Sequence, residues 1–338
     1  MSAAASGTES DVRSAWVWLG FVTAMPILAC RDKRAAPPGT GFAYVSEEES
    51  GDVVVVDTVR AEVVARVPVG THPRGLEVSR DGSVLYVATA QGIAVVDVAT
   101  RKVVRTLPGG EDPSFGTSPD GKIAFVSSEK TAELSAIDLA SGAIRGTVHV
   151  GRAPQGVAVR PDGKVVFVAS REDDEVTVVD AATLAVLAHP SAGQGPRSIV
   201  FAKDGLTAFV MNELARTVTV LDGTRYEAIA SIPVHEDSPM PSGARPASAA
   251  LSPDGGSLYV SCGRGGSVAI VDVAKRTQVR SIDGAGDRPW GIALSPDGSR
   301  LYTANGPSHD VSIVNVATGN VDKRVFVGGS PWGVVLGR

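Results

Sequence analysis

The sequence predicts an all-β fold: a seven-bladed β-propeller of four-stranded blades over residues 42–338. The ring is closed by pairing N-terminal and C-terminal strands in one blade. Three observations predict it. Asp-Gly pairs recur at 81–82, 120–121, 162–163, 204–205, 254–255 and 297–298, at intervals of 39, 42, 42, 50 and 43 residues. An aromatic–aliphatic run follows each pair: Leu85-Tyr86-Val87, Ala124-Phe125-Val126, Val166-Phe167-Val168, Ala208-Phe209-Val210, Leu258-Tyr259-Val260 and Leu301-Tyr302-Thr303. A β-branched run ending in Asp also repeats, at Asp57, Asp97, Asp138, Asp180, Asp222 and Asp272, with Asn315 in the last copy. A fixed period of this length marks one supersecondary unit repeated along the chain.

Each unit reads as four short strands, A to D. Strand A precedes the Asp-Gly turn, where Gly accepts a positive φ without steric cost. Strand B is the aromatic–aliphatic run and strand C the run that ends in Asp. Strand D is a Val-rich stretch leading to Gly and Pro. Runs such as Val53-Val54-Val55-Val56 are nearly continuous in apolar residues, which argues for burial on both faces. Such sheets need neighbouring sheets to cover them, and radial stacking of the copies makes a propeller. Seven A strands are counted, beginning near Gly75, Phe115, Gly156, Ser198, Ser248, Gly291 and Gly333. The stretch from Phe42 to Val69 supplies strands B, C and D of one blade. Residues Trp332 to Leu336 supply its strand A, so the two ends pair and the ring has no open edge.

The bulk composition fits. The chain has 338 residues, 43% hydrophobic and 20% charged, with 38 Gly and 21 Pro for tight turns. A formal net charge of −5 supplies no global field to attract nucleic acid or anionic lipid. Two cysteines, Cys30 and Cys262, cannot form a disulfide framework. There is no Cys-x-x-Cys-His haem site and no Cys/His cluster of metal-ligand spacing, so neither cofactor nor metal is expected.

Residues 1–30 read as an export signal and residues 31–41 as a polar, Pro/Gly-rich tether. The apolar run of residues 15–28 is too short to span a bilayer comfortably. It ends in Ile27-Leu28-Ala29-Cys30, which resembles a bacterial lipobox, with Cys30 as the lipidated residue. The region before the run carries only Arg13 against Glu9 and Asp11; an uncleaved anchor or a misassigned start is the competing reading. The expected location is the cell envelope, on its periplasmic or surface side.

The segment Val150-Gly151-Arg152-Ala153-Pro154-Gln155-Gly156-Val157-Ala158-Val159-Arg160-Pro161-Asp162-Gly163 resembles the YVTN-type (YncE-like) β-propeller repeat. The resemblance covers residues 42–338. The segment Asn305-Gly306 to Asp310, with Pro331-Trp332-Gly333-Val334-Val335, is similar to propellers associated with quinoprotein (PQQ-dependent) oxidation. The resemblance implies the fold; function has to come from the site, because propellers host many activities.

In this strand order the B–C and D–A loops emerge on one face and the A–B and C–D turns on the other. The second face repeats its Asp residues in every copy, which read as turn caps. The first face varies, and its D–A loops reach the central channel. The residues after the D–A prolines fall at the channel mouth: Arg74, Ser114, Gln155, Arg197, Ala247, Trp290 and Trp332. His72, Asp112, Arg245 and Arg288 precede those prolines, and an insertion at 235–243 lies on the same face. The candidate ligand-binding set is Arg74, Arg197, Arg288, Trp290, Trp332, His72, Gln155 and Arg245. Arginines and tryptophans together suit an anionic or aromatic ligand. The competing structural reading is that the tryptophans plug the channel and the arginines pair with acidic loop residues. The acidic loops lack regular calcium-ligand spacing. His309 beside Asp310 reads as a loop pair, and Cys262 as a small buried residue near a strand end.

No residue is assigned a catalytic role. Three functions remain, favoured in this order. The first is a non-enzymatic cell-envelope scaffold that binds a protein or an anionic or aromatic small molecule at the mouth, held to a membrane by a lipid anchor. The second is an accessory of a periplasmic quinoprotein or cytochrome system, implied by resemblance. The third is a propeller hydrolase such as a lactonase, which a converging His/Arg/Glu cluster at the mouth would support. Single-stranded nucleic acid is a further partner class, disfavoured by the net charge.

Overall fold

The computed structural model describes residues 41–110, 112–235 and 243–337. The segment read as an export signal, with Cys30, nearly all of the stretch read as a tether and most of the insertion after His235 lie outside the described residues. Among those described, 28 strands form seven antiparallel four-stranded sheets. Blade 1 runs A Leu76–Val78, B Val84–Thr89, C Gly92–Asp97 and D Lys102–Leu107. Blades 2 to 6 repeat this order, with A strands at Phe115–Thr117, Pro154–Val159, Pro196–Phe201, Pro246–Leu251 and Pro289–Leu294. Blade 7 takes strand A, Pro331–Leu336, from the C-terminus and strands B to D, Phe42–Glu47, Asp52–Asp57 and Glu62–Pro68, from the N-terminal end. Its register pairs Ala43 with Leu336, Tyr44 with Val335 and Val45 with Val334, so the two ends close the ring as the repeat count requires.

The core lies between blades rather than inside any one of them. Seven apolar clusters each join two neighbours. Phe209, Met211 and Ile232 of blade 4 pack on Leu258, Val260 and Val271 of blade 5. Phe125 and Leu134 of blade 2 meet Val166, Val168 and Val179 of blade 3. Each large buried side chain contributes about 1.5–3 kcal/mol, and removing one such as Phe209 to Ala costs about 3–5 kcal/mol. The expected burial on both faces holds for the middle strands: Val165–Ser170 is buried throughout. It fails for strand D, the outer edge, where Lys102–Leu107 buries only Leu107. The outermost strand has no further strand beside it to cover its faces, and polar residues occupy many of its exposed positions.

The repeated aspartates cap turns, as their uniform spacing implies. Asp138 at the end of strand C accepts the N–H groups of Ala140 and Ser141 at 3.0 and 2.8 Å. Asp297 of an Asp-Gly turn accepts the Ser295 hydroxyl at 2.5 Å and the Ser299 N–H at 3.0 Å. Such bonds favour the charged carboxylate. Hydroxyl and backbone donors draw both Asp81 and Asp297 down to about 2, and Asp138 well below the usual carboxylate range. These turns set strand register on the face away from the candidate site.

Candidate functional site

Every D–A connection ends in a proline that fixes φ and removes a backbone donor; strand A begins at that proline in blades 3 to 7 and two or three residues after it in blades 1 and 2. The residue after the proline in each blade reaches the axis. Arg74, Ser114, Gln155, Arg197, Ala247, Trp290 and Trp332 all line one cavity of about 310 Å3, with Asp112 and Glu129. Serines near the ends of B strands hold the backbone of this ring. Ser46 Oγ donates to the Arg74 carbonyl at 2.6 Å and accepts Gly333 N–H at 2.9 Å. Ser261 Oγ donates to the Trp290 carbonyl at 2.9 Å. Each hydroxyl therefore bridges two neighbouring A strands, and the inter-blade cores behind them keep the ring rigid.

A second ring of residues comes from the first position after each B strand: Glu48, Ala90, Glu129, Arg171, Glu213, Gly263 and Gly306. The two glycines make room for an indole. A Cβ at Gly263 would stand 3.2 Å from Trp290 Cζ3, and one at Gly306 would stand 3.3 Å from its Nε1. Trp290 thus lies over blades 5 and 6 and stacks on Trp332, with ring centres 4.9 Å apart and planes at 17°. Arg197 crosses from blade 4, its Cζ 4.7 Å from the Trp290 centre and 5.2 Å from that of Trp332. Arg74 Cζ lies 4.8 Å from the Trp332 centre. Guanidinium on an indole face is the favourable side of the ring quadrupole.

The arginines are also paired with acids, as the structural reading of the mouth expects. Arg74 donates through Nε and Nη2 to Glu48 Oε1 at 2.9 and 2.7 Å, with Asp112 at 3.4 Å from Nη1. Arg197 Nη1 donates to Glu213 Oε2 at 2.9 Å. Glu213, 8% exposed, also has Arg171 at 3.6 Å and Arg245 at 3.8 Å. Burial pulls the Arg197 guanidinium below the ordinary arginine range, Glu213 pushes it back up, and the positive charges of Arg171 and Arg74 add to the lowering. On the other side, Gln155 Nε2 donates to Glu129 Oε1 at 3.4 Å, and Gln155 Oε1 is buried without a partner.

The structure therefore brings together Arg74, Gln155, Arg197, Trp290 and Trp332 of the sequence-predicted set. Arg245 stands behind them through Glu213. His72 is mostly exposed and approaches Glu48 at 3.8 Å without lining the cavity. Arg288 is exposed and lines no part of it. Sequence reasoning missed Glu129 and Glu213; the signal was their shared repeat position, one residue past strand B. His309 and Asp310 take different partners: the His309 ring bonds the Gly329 carbonyl, whereas Asp310 accepts Asn305 Nδ2 at 2.7 Å. Cys262 is the fully buried last residue of strand Ser257–Cys262. A groove of about 920 Å3 on the opposite face, between blades 2 and 3, is lined largely by the turn residues common to the blades.

Comparison with known proteins adds a family. The model described as "Lactonase, 7-bladed beta-propeller" matches residues 159–335, from the end of strand A in blade 3 to strand A of blade 7. No curated protein matches the chain. Among solved structures, Kuenenia stuttgartiensis hydrazine synthase superposes with a TM-score of 0.73 at 22% identity, covering 88% of this chain and 99% of that one. A candidate 6-phosphogluconolactonase from Bacteroides fragilis gives 0.69 at 20%, covering 87% and 97%. A protein of unknown function from Desulfotomaculum acetoxidans gives 0.73 at 17%, covering 88% and 99%. At these identities the likeness is one of fold.

Proposed function

The chain belongs to the seven-bladed β-propeller lactonase family, and on that premise we propose that it is a cell-envelope binding protein whose channel mouth seats a small anionic, ring-bearing molecule. One observation carries this reading. All seven blades deliver the residue after their proline to a single cavity, and that cavity combines stacked indoles with guanidiniums. Concave sites with an apolar surface and a few convergent polar groups are where small ligands bind. The arginines that already rest on the tryptophans and on Glu48 and Glu213 are held in place, so little side-chain entropy is lost on binding. The test is calorimetric titration with indole-3-propionate, which carries a flat ring and one carboxylate. The double variant Arg197→Ala with Trp332→Ala should weaken binding by at least about 2 kcal/mol in protein shown to be folded. Unchanged affinity in the folded double variant would move the site elsewhere.

A second reading, hydrolysis of a lactone, has a specific observation in its favour. Arg74, Glu48 and His72 converge at the rim, with Glu48 bonded by Arg74 and 3.8 Å from His72. In that reading Glu48, with His72 beside it, activates a water, and Arg74 steadies the oxygen anion formed as the ring opens. Hydrolysis of δ-gluconolactone above its spontaneous rate, abolished in Glu48→Gln, would support it. A rate equal to the spontaneous one leaves the binding reading alone.

A further inference from the structure

The mouth divides into three sectors, and their charges differ. Blades 7, 1 and 2 supply Glu48, Asp112 and Glu129, with Asp112 on the D–A loop that enters blade 2; the guanidinium in that sector is Arg74. Among the described residues named, three carboxylates against one guanidinium leave two negative charges. Blades 3, 4 and 5 supply Arg171, Arg197 and Arg245, around the carboxylate of Glu213. Three guanidiniums against one carboxylate leave two positive charges among the described residues. Blades 6 and 7 close the ring with the stacked Trp290 and Trp332.

Each charged sector also carries an unmet hydrogen-bonding group. On the acidic side Glu129 lines the cavity, and among the described residues its partner is the Gln155 amide rather than a cation. The Gln155 Oε1 beside it is buried without a donor. On the basic side Arg197 lines the cavity, and behind it Arg171 Nε is buried without an acceptor. Buried polar atoms left unpaired cost free energy, so each marks the chemistry that would complete it. Among the described residues Glu129 lacks a cationic partner and Arg171 Nε lacks an acceptor. Among the described residues no group of three or more His, Cys, Asp and Glu gathers closely enough to hold a metal ion, whereas an ammonium group needs only the acceptors that Glu129 and Gln155 present.

Resting on the proposal that the mouth is a ligand seat, we infer that its ligand is a zwitterion: a ring-bearing molecule with an ammonium group as well as an anionic group. The ring lies against the tryptophan pair, the anion faces Arg197, and the ammonium faces Glu129 and Gln155 Oε1. A ligand with only one charge leaves one wall uncompensated. A ligand with both charges in the reverse sense meets repulsion at both walls, so the sectors also set its orientation.

Three probes test this by calorimetric titration of the folded protein: L-tryptophan, indole-3-propionate, which lacks the amine, and tryptamine, which lacks the carboxylate. L-Tryptophan is expected to bind at least tenfold more tightly than either. In Glu129→Gln the ratio of L-tryptophan to indole-3-propionate affinity should fall to near one, with the thermal midpoint used to verify folding. Equal affinity of the wild-type protein for L-tryptophan and indole-3-propionate overturns the zwitterion and leaves the anion seat standing. Binding of none of the three overturns both. Preference for tryptamine reverses the assigned polarity and likewise overturns the inference.

Discussion

Removing residues 330–338 takes strand A out of blade 7 and leaves strand B, Phe42–Glu47, as an open edge. The loss can be worked from the residues involved. Val334 belongs to the core between blades 6 and 7, with Leu336 packed against it, and Val335 packs against the core between blades 7 and 1. Trp332 adds the stack on Trp290. At about 1.5–3 kcal/mol for a fully buried side chain, less for partly buried ones and about 1 kcal/mol for the ring pair, the strand contributes on the order of 5 kcal/mol. That is comparable to the whole net stability of a typical domain, about 5–15 kcal/mol. The truncated protein should therefore aggregate or unfold far earlier, because the exposed edge is also a template for pairing with other chains. Denaturant unfolding and size-exclusion chromatography measure it. A finer pair of variants keeps the ring closed. Val334→Ala removes two methyl groups from a packed site and should cost about 2 kcal/mol. Val104→Ala on an outer strand, where Val104 is 61% exposed, should cost close to nothing. A monomeric, cooperative truncation product with an unchanged midpoint would refute the closure argument, as would equal effects at Val334 and Val104.

Three further outcomes are expected. The turn aspartates Asp81 and Asp297 have folded pKa values depressed to about 2, below the unfolded value of about 3.9. Their contribution is full above about pH 4 and is lost as pH falls through about 2; thermal midpoints measured across that window should fall with acid, less steeply in Asp297→Asn. Glu213→Ala leaves three guanidiniums around an empty position and should destabilise by about 2 kcal/mol, discounted because those arginines are partly exposed; an unchanged midpoint would show that the cluster is solvent-screened. Cys30→Ser, outside the described residues, should abolish lipid labelling and release the domain from the membrane fraction, because stable anchoring relies on acyl chains; fractionation like wild type would remove the lipobox proposal.

How far the amino-acid order reaches can be followed at particular residues. The repeat and the strand order were legible, because each depends on patterns within about 40 neighbouring residues: an Asp-Gly turn, an apolar run, a capping Asp. Counting the copies then required that Trp332 to Leu336 complete the blade begun at Phe42. The residues after the prolines were also legible as a set, since equivalent repeat positions occupy equivalent places on a ring.

Only the tertiary structure decided which side chains meet. His72 and Arg74 stand two residues apart in one loop, yet one is exposed and the other lines the cavity. Arg288 and Trp290 part in the same way. Glu129 and Glu213 look like ordinary acidic turn residues until the ring sets Glu129 beside Gln155 of the next blade and Glu213 between Arg171 of the blade before it and Arg245 of the blade after it. The physical reason is that these pairings join different blades. A local pattern specifies each blade's own strands and turns. It carries no record of the radius at which neighbouring blades settle, and that radius is set by the packing of seven shared cores.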